Sequence, residues 1–237
     1  MIPIRSLIPR FNPALVTTWF IVFNILVFLG EALMGAFLPQ FISIFGLRPI
    51  NFWLHLNFEN LTAWFPIFTS MFLHGGLFHL AGNLLFLWVF GSRVEECLGH
   101  ARFAALYVGA GFLAAFTQLL LTPFLNVPII GASGAVAGVL GAYLYLFPRS
   151  RVLTFIPVFF VRYLWEIPAV YFVLVWIAQQ YLARLLLLNT GDALVGGSAY
   201  WAHVGGFFAG ILVASMLASK ARATLQNSAL GMKAKFR

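Results

Sequence analysis

The segment Ile129–Phe147, IIGASGAVAGVLGAYLYLF, sets one hydroxyl, Ser133, among small residues at the mouth of an otherwise apolar run. Gly134 and Gly138 stand at GxxxG spacing with Gly141 beyond. A ridge of this kind lets a second helix approach closely in a membrane. The apolar part, Ala132–Phe147, has 16 residues and reaches about 24 Å as a helix. The hydrocarbon core of a bilayer is about 30 Å thick. Pro148 and Arg149 mark one end of this helix, so the Ser133 end is expected to stop short of the opposite surface. The connection from Thr122 to Gly131 must then dip into the membrane. Irregular backbone at that depth is tolerated only where protein or a water-filled cavity covers it. The reading is a recessed serine at the floor of a wet cavity.

The surrounding chain supports a membrane setting. Of its 237 residues 62% are hydrophobic and 8% charged, with a mean hydropathy of +0.96. Soluble domains carry about a quarter charged residues, so this is an all-α polytopic membrane protein with no room for a second globular domain. The net charge is +8, but the basic residues cluster between apolar runs and in the tail. That pattern suggests topology signals and contact with the lipid bilayer, with no nucleic-acid partner. The single cysteine, Cys97, excludes an internal disulfide and lacks a local base. No cleavable signal peptide is evident.

Six stretches are long enough, or nearly so, to cross: Ala14–Leu38, Leu77–Val94, Ala101–Leu121, Ala132–Phe147, Pro168–Leu188 and Tyr200–Ser219. The division is thus a six-helix membrane domain over 1–219 and a weakly ordered basic tail over 220–237. With six spans both termini share a side. That side gathers Arg5, Arg10, Arg93, Arg102, Arg149, Arg151, Arg162, Lys220, Arg222, Lys233, Lys235 and Arg237, against Arg48 on the other. By the positive-inside rule both termini are cytoplasmic. The aromatic-rich loop Pro39–Gly76 is expected to lie in the interface. The stretch Val152–Ile167, broken by Pro157 and Arg162, reads as an interfacial loop.

The rare intramembrane polar groups fall near one depth. Ser133 is 16 residues from Arg149, His203 is 17 from Lys220 and His79 is 14 from Arg93, or about 24, 25 and 21 Å of helix. Asn83 lies one turn from His79 on the same face. Ala202, Gly206 and Gly210 form a second small-residue ridge. If the two ridges face each other, Ser133 Oγ and an imidazole nitrogen of His203 come within hydrogen-bond reach, the nucleophile–base pair of acyl chemistry. Taken singly, a serine beside glycine is most often a packing residue, and an intramembrane histidine can be structural or part of a proton relay. The GxSxG elbow is absent because Ala135 stands at its second glycine. Glu31, Glu95 and Glu96 lie near helix ends, away from His203, so a hydrolase here works with a dyad. His79, Asn83 and the Ser133 amide would then donate to the oxyanion. His74 and His79 are poorly spaced for a metal on one helical face.

Three motifs in order, His79-x-x-x-Asn83, Gly131-Ala132-Ser133-Gly134 and Ala202-His203-x-x-Gly206-x-x-x-Gly210, resemble those of the rhomboid intramembrane serine proteases. The likeness runs from about Thr69 to Gly210 and takes in MFLHGG before the second span and Val94-Glu95 followed by Gly99 after it. It implies a six-transmembrane-helix rhomboid-like bundle with a short, recessed fourth helix. It implies Ser133 as nucleophile, His203 as general base, and His79 and Asn83 lining the oxyanion hole. It also implies a transmembrane protein substrate, unwound near its outer end and entering beside spans two and five, with no metal, ATP or other cofactor. Two positions depart from the pattern. Ala63-Trp64-Phe65-Pro66 lacks the arginine of the usual Trp-Arg pair, and Ala137 stands where an aromatic often packs on the base; Trp201 is a candidate substitute. The alternative function is a catalytically inactive rhomboid-like protein that binds client transmembrane helices. A proton-path transporter is a third class, disfavoured by the glycine-packed half of span four. The short amino-terminal segment suggests a bacterial cell membrane.

Overall fold

A computed structural model describes the backbone of residues 1–9, 11–56, 61–158, 161–190 and 199–235, with side chains described among these except at 61, 157–158, 161–163, 184, 186–190 and 218–235. A short strand β1 (Ile2–Ser6) leads to α1 (Leu15–Leu33). The long first loop carries α2 (Leu38–Phe45), α3 (Pro49–His55) and α4 (Phe65–Thr69), joined partly by 3₁₀ turns. Next come α5 (Leu77–Phe86) and α6 (Ser92–Leu98), continuous through a π-helical stretch at Leu87–Gly91. The chain continues with α7 (His100–Leu121), α8 (Ser133–Leu146), β2 (Arg151–Val158), β3 (Val161–Pro168), α9 (Ala169–Thr190) and α10 (Tyr200–Lys235). Gly99, at φ 84°, makes the tight break between α6 and α7 that a residue with a Cβ would resist.

Among the described residues four helices are long and apolar enough to cross a membrane: Leu15–Leu33, Leu77–Leu98, His100–Leu121 and Tyr200–Leu217. Their outer faces suit lipid: Phe78 is 93% exposed and Trp19 72%. Helix α8 is different. Every residue from Gly134 to Tyr143 is buried, so the helix is apolar all round because protein surrounds it. Helices α7 and α10 pack against it through their small residues. A Cβ on Gly206 would lie 2.1 Å from the Gly134 carbonyl oxygen, and one on Gly138 would lie 2.3 Å from Ala114's neighbour one turn along, Ala110 Cβ. The two small-residue ridges therefore do face each other. The glycines remove the side-chain layer that would otherwise separate the backbones.

The expectation of an all-α chain is corrected at one end of the bundle. Within the stretch 152–167, read as an interfacial loop, β2 and β3 pair antiparallel, and β1 adds antiparallel to β2, giving the order β1-β2-β3. The physical reason is legible in hindsight. Pro157 blocks a helix, and Val152 and Thr154 are fully buried while Arg151 is exposed, the alternation of a half-buried strand. A hydroxyl chain fastens this sheet to α8: Ser6 Oγ lies 2.7 Å from Tyr143 Oη, and Ser150 Oγ donates to the same oxygen at 3.0 Å. The basic tail, read as weakly ordered, is helical to Lys235 as an extension of α10, in keeping with its content of alanine, leucine and lysine.

The connection between α7 and α8 runs without regular structure and is covered by the first loop. Leu47 and Ile129 exchange backbone hydrogen bonds of 3.0 and 2.7 Å, the Ile50 amide donates to Leu125 O at 3.2 Å, and Trp53 Nε1 donates to Leu119 O at 3.0 Å. These contacts supply the partners that irregular backbone needs away from water.

Candidate active site

Ser133 opens α8 and His203 lies in the first turn of α10. The close packing of their helices brings Ser133 Oγ within 2.8 Å of His203 Nε2. Ser133 is half-buried and His203 is 8% exposed. Nδ1 of His203 is buried with no partner, carboxylate or other, among the described residues. An aromatic ring does lie beside the imidazole. It belongs to Trp176 of α9, with ring centroids 5.9 Å apart, whereas Trp201, the substitute expected from sequence, packs edge-on with Tyr200.

The loop before Ser133 is shaped by Gly131, at φ 129°. A Cβ there would meet His79 Cε1 at 2.8 Å and Nε2 at 2.9 Å, with Ser133 Oγ 3.5 Å away. Glycine is required both by the backbone angle and by the approach of the imidazole. The Gly131 amide donates to Ser70 O at 2.8 Å, which fixes this turn against the end of the first loop. The His79 ring and Ser133 Oγ thus both approach Gly131. Asn83 is buried, and its Nδ2 has no partner among the described residues. An amide N–H₂ left unpaired in a dry place is costly, and it is a donor available to an incoming oxygen. No side chain caps the start of α8, so the first amides of this helix are also free to donate.

Several supporting residues escaped the sequence reading. Gln118 of α7 is fully buried; its Oε1 accepts from the Ala202 amide at 2.9 Å and its Nε2 donates to Thr122 Oγ1 at 2.8 Å. It caps the start of α10 one residue before His203. Its signal was simply a polar side chain inside an apolar span. Glu31, set aside as a helix-end acid, is 2% exposed and accepts from the His74 amide with both carboxylate oxygens, at 3.1 and 3.2 Å. The His74 ring stands edge-on to His79, with centroids 5.3 Å apart. Glu95 reaches from α6 to the start of α1, accepting from the Val16 and Thr17 amides at 2.8 Å each and from Thr17 Oγ1 at 2.6 Å, and it also pairs with His100 Nδ1. His100 opens α7 and joins this cluster. A cavity of about 30 Å³ lies behind Ser133, lined by Ser70, Gly131 and Gln118 among others, enough for about one water.

Comparison with known proteins agrees with these motifs. Residues 61–220 match the family model described as the Rhomboid domain. The chain is similar to "Rhomboid protein 1, mitochondrial" of Saccharomyces cerevisiae, 31% identical over 192 residues, covering 76% of this chain and 51% of that protein. It is similar to "Rhomboid protease GluP" of Bacillus subtilis, 41% identical over 88 residues, 37% of this chain and 17% of that one. It is also similar to "Presenilin-associated rhomboid-like protein, mitochondrial" of Mus musculus, 30% identical over 151 residues, 62% of this chain and 36% of that one. The matched region spans about half the length of the yeast protein and less of the others. Relatives named as mitochondrial stand beside bacterial ones, so kinship gives no support to a bacterial membrane in particular. With a model match covering most of the chain, and spanning both Ser133 and His203, this membrane protein belongs to the rhomboid family.

Proposed function

We propose that this chain is an intramembrane serine endopeptidase that hydrolyses peptide bonds in or near transmembrane segments of membrane-protein substrates. The observation that carries the reading is the 2.8 Å contact between Ser133 Oγ and His203 Nε2, made between two helices at the level of His79. Nε2 takes the Oγ proton as Oγ attacks the scissile carbonyl carbon. The resulting oxyanion receives hydrogen bonds from His79, from Asn83 Nδ2 and from the Ser133 amide. His203 then passes the proton to the departing amine, leaving an ester on Ser133. A water, deprotonated by the same Nε2, attacks the ester, and the proton returns to Oγ as the acid leaves. Donors held in place before the charge develops are where such sites gain most of their rate.

The membrane placement completes the proposal. Helices α8 and α9 join the four long helices as spans, giving six. At 14 residues, α8 reaches about 21 Å and leaves Ser133 recessed from the surface opposite the basic loops. Both termini then lie on the basic, cytoplasmic side. Cleavage of a single-pass transmembrane reporter in proteoliposomes tests the reading. Wild-type protein should release the product, and Ser133→Ala should retain the fold and release none. A Ser133→Ala protein that cuts at the wild-type rate would end the proposal.

A further inference from the structure

The sheet β1-β2-β3 has two outer edges, and the chain protects only one of them. β1 has five residues, carries Pro3 and Arg5, and shifts its register against β2 between those two. A short strand with a proline, a charge and a bulge is a poor template for another strand. β3 is different. All eight of its residues, Val161–Pro168, pair with β2 in unbroken register, and its one proline stands at the last position. Among the described residues no further strand pairs with it, which leaves its outer row of backbone N–H and C=O groups open to one.

The residues of this edge say what fits it. Trp165 stands opposite Thr154 and shares its face. Thr154 is fully buried, yet Trp165 is 56% exposed, so the cover over β2 does not extend to this part of β3. Counting by twos along β3 gives Arg162, Leu164 and Glu166 on the other face. Leu164 is 61% exposed, and the Glu166 carboxylate lies 4.0 Å from Arg151, an exposed pair of little strength. The run Arg162-Tyr163-Leu164-Trp165-Glu166 is complementary to its own reverse. Laid antiparallel on a second copy with Leu164 opposite Leu164, it sets Arg162 of each copy across from Glu166 of the other, and Tyr163 across from Trp165. Opposite charges and paired aromatics directly across two strands stabilise a sheet. The two-fold axis of this pairing is perpendicular to the sheet, and the same patch serves both copies. The Thr154 faces of both copies then point the same way, and both bundles stand on one side of a continuous sheet. Two chains inserted in one direction in one bilayer must be so arranged. We propose that two copies of this chain join edge to edge through their β3 strands in this register. The interface stands whether or not Ser133 is a nucleophile.

The test uses the full chain in proteoliposomes. In the proposed register the two Leu164 Cα atoms lie about 4.5–5.5 Å apart, within reach of a disulfide. The two Trp165 Cα atoms lie about 8 Å apart, beyond it. Under a mild oxidant Leu164→Cys should form a linked dimer about tenfold faster than Trp165→Cys, with peptide mapping placing both sulfurs at position 164. The native thiol, Cys97, is buried and should stay out of the link. Equal rates, or a faster link from Trp165→Cys, would overturn the proposal. A second arm reads energy transfer between copies labelled on a carboxy-terminal tag as added lipid dilutes them. Glu166→Arg alone and Arg162→Glu alone should each weaken dimerisation about tenfold by setting like charges opposite, and the two together should restore it. That recovery separates the contact between copies from the Arg151 contact within one, which the double variant does not mend. A wild type that stays monomeric at every density, or a folded double variant no better than the folded single ones, would overturn the proposal. The disulfide arm decides alone if the charge variants do not fold.

Discussion

Gly206→Ala should inactivate the protein while adding a single methyl group. The new Cβ would stand 2.1 Å from the Gly134 carbonyl oxygen and 3.2 Å from Ala114 Cβ. The first neighbour is backbone at the start of α8 and cannot swing aside. Non-bonded carbon contacts settle at about 3.5 Å, so α10 must retreat from α8 by about 1 Å. His203 sits one turn earlier on the same face of α10 and moves with it. The 2.8 Å contact to Ser133 Oγ then opens beyond the ~3.2 Å limit of a good hydrogen bond. A misplacement of about 1 Å at a reacting pair costs about 100-fold in rate, and overpacking takes about 1–3 kcal/mol of stability besides. Gly109→Ala is the control, since a Cβ there meets nothing within 4 Å; it should leave the rate unchanged. Initial rates on the transmembrane reporter, normalised to folded protein, give the answer. A Gly206→Ala rate within about threefold of wild type would refute the claim that ridge contact sets the catalytic geometry.

Other perturbations probe the supports around the site. Glu95→Ala should lower stability by about 3 kcal/mol or more, because the Val16 and Thr17 amides lose their acceptor in a buried place; unfolding in mixed micelles of rising sodium dodecyl sulfate fraction measures it. Glu31→Leu should cost about 1–3 kcal/mol by stranding the His74 amide, and Glu31→Gln, which keeps an acceptor oxygen, should cost less in the same titration. Cys97, at 3% exposed, should resist a maleimide in the folded protein and react once the detergent has unfolded it. Rapid modification without unfolding would contradict the packing described for α6.

The catalytic candidates were legible because so few polar groups interrupt these apolar runs. Depth from the nearest arginine or lysine placed Ser133, His203 and His79 at one level, and the glycine spacing said which helices touch. Both inferences rest on helix geometry alone, and the second agrees with the packing of α8 on α10. The sheet was harder to read. An apolar run broken by Pro157 fits an interfacial loop as well as a hairpin, and the partner that settles the matter, β1, is distant in sequence: Ser6 pairs with Val152, 146 residues on. Trp176 was hidden among 27 phenylalanines and other aromatics on lipid-facing helices, because nothing local marks which ring turns inward. Glu31 and Glu95 were seen as helix-end acids, but their roles depend on amides from distant segments that only the tertiary fold brings near.

The central claim is that Ser133 is a nucleophile activated by His203, and covalent trapping tests it most directly. The account predicts that a fluorophosphonate adds one adduct to the wild-type chain, that peptide mapping places it on Ser133, and that His203→Ala abolishes it without loss of fold. An adduct on another residue, or one that forms on Ser133 at the same rate without His203, would contradict the account.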